Sequence, residues 1–280
     1  MTTTTVLITG CSSGIGRSLC QAFARRGYQV IATARRAESV AALQAAGMLA
    51  YPLDVTQPAQ IHQVIDTLQQ QELSVDILVN NAGYGLFGPL MDLSTEAIAA
   101  QLATNVVAPM QMVQAIAPLM KARGSGLILN IGSISSVFTT PFAGAYCGSK
   151  AALRAMSEAL RLELAPFGIQ VVTVHPGAIT SAFGDNARLS QSVGNTDSWY
   201  APLAAKIQMR ATLSQQNATS SEDFARQLVQ QVTNPPLAPE IWLGKKSLQL
   251  PLMKRWLPVR LLDNLLAKRF GLISRGFPEK

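Results

Sequence analysis

The sequence predicts an α/β fold in which a doubly wound parallel sheet carries helices on both faces. Three observations predict it: short apolar segments alternate with amphipathic ones, the alternation begins near the N-terminus, and it reaches about residue 180 without a linker or internal repeat. The chain has 280 residues, of which 48% are hydrophobic and 14% charged, enough for one large domain with its own core. We expect a single domain over residues 1–280, with its core at about 5–235.

The predicted strands and helices alternate along the chain. The first strand, TVLITG, ends at a glycine, and the helix after it, SGIGRSLCQAFARRG, ends at Gly27. Continuous apolar strands of this kind are typical of a parallel sheet that is buried on both faces. The following elements are the strand YQVIATAR, the helix AESVAALQAAG, the strand LAYPLDV, the helix AQIHQVIDTLQQQ, the strand DILVNNAG, a helical region over about Thr95–Arg123, the strand GLILNIGS, a helix over about Ala145–Phe167 and the strand IQVVTVHPG.

The pattern changes after the last of these strands. Residues 181–221 are polar and interrupted, and so long a segment in a compact domain indicates a functional lid or a disordered loop. We expect it to be the substrate loop. The helix SSEDFARQLVQQV, which begins with a capping serine, then restores the regular pattern.

The C-terminal tail, residues 240–280, carries most of the net charge of +7. It holds nine Lys/Arg and three Asp/Glu, whereas the other 239 residues hold 14 and 13. The nearly neutral body argues against a nucleic-acid partner. After Pro258, a predicted C-terminal helical extension places Val259, Leu262 and Leu266 on one stripe. This stripe either packs over the substrate pocket or an oligomer interface, or lies on an anionic membrane surface, and both interpretations stay open.

The composition fits a reduced, cytoplasmic protein without a metal site. The N-terminus, MTTTTVLITG, has no basic n-region, and no stretch of about 18 uncharged apolar residues occurs. Cys11, Cys20 and Cys147 have no metal-ligand spacing, and neither His62 nor His175 has a cluster of Cys or carboxylate beside it. If the tail binds lipid, we expect the protein at the inner face of a membrane.

A glycine-rich turn, TGCSSGIG, follows the first strand. It places Gly10, Gly14 and Gly16 where a helix begins, so the backbone can approach a pyrophosphate at the helix N-terminus. The alternative is a tight turn in which Ser12 or Ser13 caps the helix. The position after a buried N-terminal strand favours a dinucleotide site.

The end of the second strand indicates which dinucleotide is bound. An acidic residue at this place would accept from the ribose 2′-hydroxyl of NAD(H), but the sequence ATARR has Arg35 and Arg36. A guanidinium suits a 2′-phosphate, so NADP(H) is favoured. The alternative is a pair of solvated arginines before a helix.

Together with LDV, NNAG, TNVVAP, NIGSIS, YCGSK and HPGAITSAF, this turn resembles the motif set of the short-chain dehydrogenase/reductase family. The resemblance covers about Val6–Val232 and points to the classical single-domain branch. Several of its sequence segments are similar to those of the 17β-hydroxysteroid dehydrogenase-like subgroup. It implies a Rossmann-like fold. Members of this family often pair through helices such as those near Thr95–Arg123 and Ala145–Phe167, so we expect a homo-oligomer.

The resemblance also implies the roles of individual residues. Tyr146 would be the acid/base, Ser133 would hydrogen-bond the substrate oxygen, Lys150 would bind the nicotinamide ribose, and Asn105 would hold a water of a proton relay. Ser181 stands where the family usually has Thr, which keeps a hydroxyl. The implied cofactor-binding residues are Gly10, Ser12, Ser13, Gly14, Ile15, Gly16, Arg35, Arg36, Asp54, Val55, Asn81, Ala82, Gly83, Tyr146, Lys150, Pro176, Gly177, Ile179 and Ser181.

The spacing of Tyr146 and Lys150 suits proton transfer. Residues four apart share a helix face, and a nearby ammonium is expected to lower a tyrosine pKa of about 10. We expect an NADP(H)-dependent oxidoreductase that interconverts a carbonyl and an alcohol on an apolar substrate such as a steroid, retinoid or aliphatic aldehyde. The alternatives are a non-catalytic dinucleotide-sensing scaffold and a membrane-surface lipid or retinoid dehydrogenase.

Overall fold

A parallel sheet of seven strands forms the centre of the protein. The computed structural model describes residues 3–180, the backbone of 188–189, and residues 197–272. The strand order is β3-β2-β1-β4-β5-β6-β7, and it reverses beside β1, where open α/β sheets bind ligands. The strands are β1 Thr5–Ile8, β2 Gln29–Ala34, β3 Leu49–Pro52, β4 Ile77–Asn80, β5 Gly126–Ile131, β6 Ile169–Pro176 and β7 Glu240–Leu243.

Helices cover both faces of this sheet. Helices α1, α2 and α8 pack on one face, and α3, α5 and α6 on the other. The predicted doubly wound α/β fold is therefore confirmed. The helices are α1 Gly14–Ala24, α2 Ala37–Ala45, α3 Pro58–Gln70, α4 Thr95–Leu102, α5 Ala108–Arg123, α6 Gly144–Leu164, α7 Ala204–Thr212, α8 Ser221–Val232, α9 Gln249–Trp256 and α10 Val259–Phe270.

Strand β1 shows why the sheet needs helices on both sides. Val6 and Ile8 contact the layer of α1 and α8, whereas Leu7 contacts the layer of α3 and α5, and all three are fully buried. Side chains alternate between faces along a strand, so an unbroken apolar run fills two cores.

The predicted helical region Thr95–Arg123 is interrupted. A turn of π-helix, Ala103–Val107, joins α4 to α5 and places Asn105 at its centre. Such turns insert one residue into a helix and are frequent at functional sites. Sequence periodicity showed the helix but not this insertion.

The last part of the chain both completes the sheet and covers the site. β7 begins at Glu240, so the first residues of the predicted tail belong to the sheet. Helix α10 begins after Pro258 as predicted, and Leu262 and Phe270 on its inner side are buried. Phe270 packs in a cluster with Phe142, Leu203 and Ile207, which confirms packing for the inner side of this helix. Among the described residues, no helix is both long enough and apolar enough to cross a membrane.

Candidate active site

The turn between β1 and α1 has the shape of a phosphate cradle. Gly10 and Gly14 have φ of +73° and +56°, which side chains rarely adopt. A Cβ on Gly16 would lie 2.3 Å from the Gly10 carbonyl oxygen, so no side chain fits. Ser13 precedes α1 but makes no side-chain capping bond, which leaves the first amides of the helix available. These features fit a dinucleotide pyrophosphate and argue against the capping alternative.

The end of β4 holds this cradle in place. The Asn81 side-chain amide donates to the Thr9 carbonyl oxygen at 2.8 Å, and the backbone N–H groups of Asn81 and Ala82 both donate to the Thr9 hydroxyl at 3.0 Å. The Asn81 amide also lies 3.2 Å from the Gly10 carbonyl oxygen. Loop and strand therefore form one rigid wall for the ligand.

Asp54 and Val55 follow β3 and line the cavity, where the resemblance implied the adenine. One carboxylate oxygen of Asp54 accepts from the Thr56 N–H at 3.0 Å and from its hydroxyl at 2.7 Å, which fixes the loop. Val55 is buried. A fixed carboxylate next to an apolar surface suits a flat, polar-edged base.

Arg35 and Arg36 follow β2, where the sequence analysis put the cofactor choice. Both are exposed and line the same cavity as the cradle. A small cleft beside them adds Arg17, Ser39 and Glu38, which the sequence analysis missed. Arg17 is the fourth residue of α1, near the helix N-terminus that the cradle precedes. A positive residue at this position was a signal in the sequence for a nearby phosphate.

Ser133, Tyr146 and Lys150 meet at the carboxyl edge of the sheet. Ser133 follows β5, and the other two lie one turn apart on α6. All three are buried and line a cavity of about 1410 Å³ that also contains the cradle. The Lys150 ammonium donates to the Ile131 carbonyl oxygen at 2.8 Å, which orients it toward this cavity. The predicted pairing of Tyr146 and Lys150 is thus part of one site.

Burial is the largest influence on the pKa values of Tyr146 and Lys150. It raises the pKa of Tyr146 to about 12, against a hydrogen bond from Ser133 that favours the phenolate. Burial also lowers the pKa of Lys150 to about 8. The expected lowering of the tyrosine pKa is therefore wrong for this structure. Tyr146 keeps its proton near neutral pH, as a proton donor must.

Asn105 ties two parts of the site together. Its amide nitrogen donates to the Tyr84 carbonyl oxygen and to the Ser149 hydroxyl, each at 3.0 Å, and its amide oxygen accepts from the Tyr84 N–H at 3.2 Å. A Cβ on Gly83 would lie 3.0 Å from that oxygen. Asn105 thus fixes α6 against the loop after β4. Its role in a proton relay stays a prediction.

The carboxyl end of β6 forms another wall of the cavity. The Gly177 N–H donates to the Leu243 carbonyl oxygen at 2.8 Å, and a Cβ on Gly177 would lie 2.1 Å from the Lys245 carbonyl oxygen. Pro176, Gly177 and Ile179 line the cavity as the resemblance implied. Ser181, the last implied cofactor contact, lies outside the described residues.

His175 supports the site without facing it. Its ring stacks on Trp242 at 3.9 Å, its Nε2 lies 3.3 Å from a Glu240 carboxylate oxygen, and its Nδ1 lies 3.4 Å from the Ser133 carbonyl oxygen. Burial lowers its pKa. Within the described ranges no group of three His, Cys, Asp or Glu could hold a metal ion.

The structure brings the predicted site residues to one cavity. Every implied cofactor residue within the described ranges lines it, as does Ser133, whereas Asn105 stands behind it. The sequence analysis missed other residues that line the cavity, because they come from loops, from the short strand Leu86–Phe87 and from α7, a helix that it did not predict. They include Phe87, Phe138, Thr140 and Arg210.

Comparison with known proteins identifies the family. Residues 4–192 match the family model described as short chain dehydrogenase. The chain is 40% identical over 234 residues to short-chain dehydrogenase ptmH of Penicillium ochrochloron, covering 82% of this chain and 84% of that protein.

Two solved structures agree with this result. A short-chain dehydrogenase from Streptomyces avermitilis superimposes with a TM-score of 0.80 at 29% identity, covering 95% of this chain and 94% of that one. A serine dehydrogenase complexed with NADP+ does so with a TM-score of 0.74 at 27% identity, covering 86% of this chain and 94% of the other. The chain therefore belongs to the short-chain dehydrogenase family of nicotinamide-dependent oxidoreductases.

Proposed function

We propose that this protein is an NADP(H)-dependent oxidoreductase that interconverts a carbonyl and an alcohol on an apolar substrate, such as a steroid, a retinoid or an aliphatic aldehyde. The observation that carries the proposal is the meeting of Ser133, Tyr146 and Lys150 on the wall of the cavity that holds the phosphate cradle. A non-catalytic dinucleotide sensor would have no need of this combination.

Each of the three side chains has a chemical task. The bound cofactor supplies or accepts a hydride. In the direction of reduction, the Tyr146 hydroxyl donates a proton to the carbonyl oxygen, and the Ser133 hydroxyl donates a hydrogen bond to the same oxygen. Lys150, held by Ile131, supplies a positive charge beside the developing alkoxide. Burial of all three keeps bulk water away.

Two exposed arginines support the choice of NADP(H). Arg35 and Arg36 line the cavity after β2, and Arg17 lies in the adjoining cleft. Guanidinium groups bind phosphate oxygens through paired, charge-assisted hydrogen bonds. The similar serine dehydrogenase is complexed with NADP+.

The substrate side of the cavity supports an apolar substrate. Phe87 and Phe138 line it from the body of the protein, and Leu262, Leu266 and Phe270 line it from α10. Such walls take up the apolar body of a ligand and leave orientation to a few polar groups.

A second proposal concerns the outer side of the tail, which we infer contacts an anionic membrane surface. Trp256 is 76% exposed and Leu261 is 47% exposed, and Leu252 is also exposed. Arg255 and Arg260 are exposed in the same segment. Aromatic and aliphatic side chains among basic ones are typical of helices that lie on lipid.

The cofactor choice is tested by Arg35→Asp. We expect the wild type to prefer NADPH to NADH, and the variant to lose about ten- to a hundredfold of that preference, because a 2′-phosphate loses its partner and meets a like charge. The measurement is kcat/KM for each cofactor with a panel of steroid, retinoid and aliphatic carbonyls. Arg25→Asp, at the far end of α1, is the control. An unchanged cofactor ratio in Arg35→Asp would contradict the proposed phosphate contact.

A further inference from the structure

A buried arginine faces the substrate side of the cavity. Arg210 lies on α7, is 7% exposed, and lines the cavity together with Tyr146. Its guanidinium carbon lies 5.1 Å from the centroid of the Phe87 ring, and that ring lies 5.8 Å from the ring of Tyr146. One aromatic side chain therefore separates this cation from the proposed proton donor.

The protein does not neutralise this arginine within the part of the chain that the structure describes. The Nε of Arg210 donates to the Thr140 hydroxyl, and no described carboxylate forms an ion pair with the guanidinium. A guanidinium has five N–H donors and stays charged even when buried. A buried charge without an opposite charge is costly, so its retention needs a reason.

Two further basic side chains line the cavity that Arg210 lines. Lys268 and Arg269 on α10 also line it. Ile207 of α7 and Phe270 of α10 pack in one cluster, so the two helices are neighbours. Burial lowers the pKa of Arg210, and the charge of Arg269 acts in the same direction. Cations on two neighbouring helices that line one cavity favour a ligand that brings negative charge.

Resting on the proposed function, we propose that the substrate carries an oxyanion, such as a carboxylate, which the Arg210 guanidinium binds while the carbonyl lies at Ser133 and Tyr146. The apolar walls between these two ends, such as Phe87 and Leu262, hold the hydrocarbon part. Within the apolar substrates of the proposed function, the preferred class is therefore an oxo acid or hydroxy acid with an apolar body. Arg210 is therefore a specificity-determining residue, because it selects substrates that carry an anionic group at the end away from the carbonyl.

The test compares substrates that differ only in charge. A chain-length series of ω-oxo carboxylic acids, the matching ω-oxo alkyl sulfates and the methyl esters of the acids is reduced with NADPH by the wild type, Arg210→Met and Arg210→Lys. Arg226→Met, an exposed arginine on α8, is the matched control. The acid and sulfate series distinguish the two kinds of oxyanion. The quantity measured is the ratio of kcat/KM for each anion to that for the methyl ester of the same chain length.

We expect the wild type and Arg226→Met to prefer at least one anion to its ester by about tenfold or more. In Arg210→Met the preference disappears, and in Arg210→Lys part of it remains. If Arg210 only docked α7 on Thr140, its loss would slow both substrates equally, and an unchanged ratio would overturn the proposal. Preference of the wild type for the esters would overturn it as well.

Binding separates this proposal from the proposed function. Dodecanoate and its methyl ester, which have neither an aldehyde or ketone to reduce nor an alcohol to oxidise, are titrated against the complex of the protein with NADP+. We expect dodecanoate to bind about tenfold more tightly, and Arg210→Met to lose this difference while its Kd for NADPH stays unchanged. Equal binding of the two probes overturns the anion site even if the enzyme reduces esters. A weaker Kd for NADPH in Arg210→Met would instead make Arg210 a cofactor contact and also overturn it.

Discussion

At the scale of single residues, protonation decides what the site can do. Burial holds the proton on Tyr146, with a pKa of about 12, and brings the pKa of Lys150 down to about 8. Near neutral pH the pair is therefore a phenol beside an ammonium. This is the state in which a carbonyl oxygen receives a proton and the resulting charge is stabilised.

These two values predict a pH profile. We expect kcat/KM for carbonyl reduction to be level from about pH 6 to about pH 7 and to fall as the pH rises through about 8, because Lys150 then loses its charge while Tyr146 keeps its proton. Alcohol oxidation needs the phenolate, so its rate should rise with pH over the same range. Initial rates in both directions check this. A reduction rate that stays level to about pH 10 would contradict the role of the ammonium.

The residues that sequence reasoning found are those whose chemistry is local. The glycines of the cradle and the pair Tyr146 and Lys150 lie in short motifs whose combination resembles a known family, and the structure brings them together. Arg210 was out of reach because its partner, Thr140, is 70 residues away and comes from a loop. One signal was present in the sequence: Ile207, Arg210 and Ala211 share one helical stripe, and all three are buried.

At the scale of elements, the structure contains two helical segments that sequence periodicity did not predict. The turn Ala103–Val107 lies inside a helical pattern that looks continuous, because one extra residue per turn changes the side-chain pattern too little to notice. Helix α7 lies in a segment whose polar composition predicted a loop. Its apolar stripe is short and gains its partners from Phe142 and Phe270, which only the fold supplies.

Helix α10 offers a matched pair of substitutions. Leu262 is 8% exposed on its inner side, and Leu261 is 47% exposed beside it. We expect Leu262→Asp to raise KM for an apolar substrate about tenfold or more, because a carboxylate there would be buried against the cavity wall. Leu261→Asp should leave KM unchanged. Steady-state kinetics and the KM for NADPH check the pair, and equal effects of both substitutions would show that this helix does not close the pocket.

At the scale of the whole molecule, the distribution of charge separates the tail from the body. The body is nearly neutral, and the tail holds nine Lys/Arg against three Asp/Glu. Since β7 is part of the sheet, a truncation that tests the tail should begin after Ser247 and not at Glu240. The expected homo-oligomer stays a prediction, and exposed apolar residues such as Val107, just before α5, and Leu162 on α6 would suit it.

Membrane contact has a test at the same scale. We expect the full chain to sediment with vesicles that contain anionic lipid and to stay in solution with zwitterionic ones, since the basic tail supplies the attraction. Trp256→Ser should reduce the bound fraction at least about threefold, because the interfacial side chain is lost. Trp199→Ser, an equally exposed tryptophan outside the tail, is the control. Binding that does not depend on lipid charge would contradict this proposal.

The central claim is that Tyr146 delivers the proton of a carbonyl reduction, and one substitution tests it most directly. NADPH consumption is followed with a panel of apolar aldehydes and ketones for the wild type, Tyr146→Phe and the control Tyr28→Phe, whose ring packs on Phe23 away from the cavity. We expect Tyr146→Phe to lose at least about a hundredfold in kcat, because the proton donor is gone, while its Kd for NADPH stays unchanged. Turnover by Tyr146→Phe at the rate of the wild type would contradict the account.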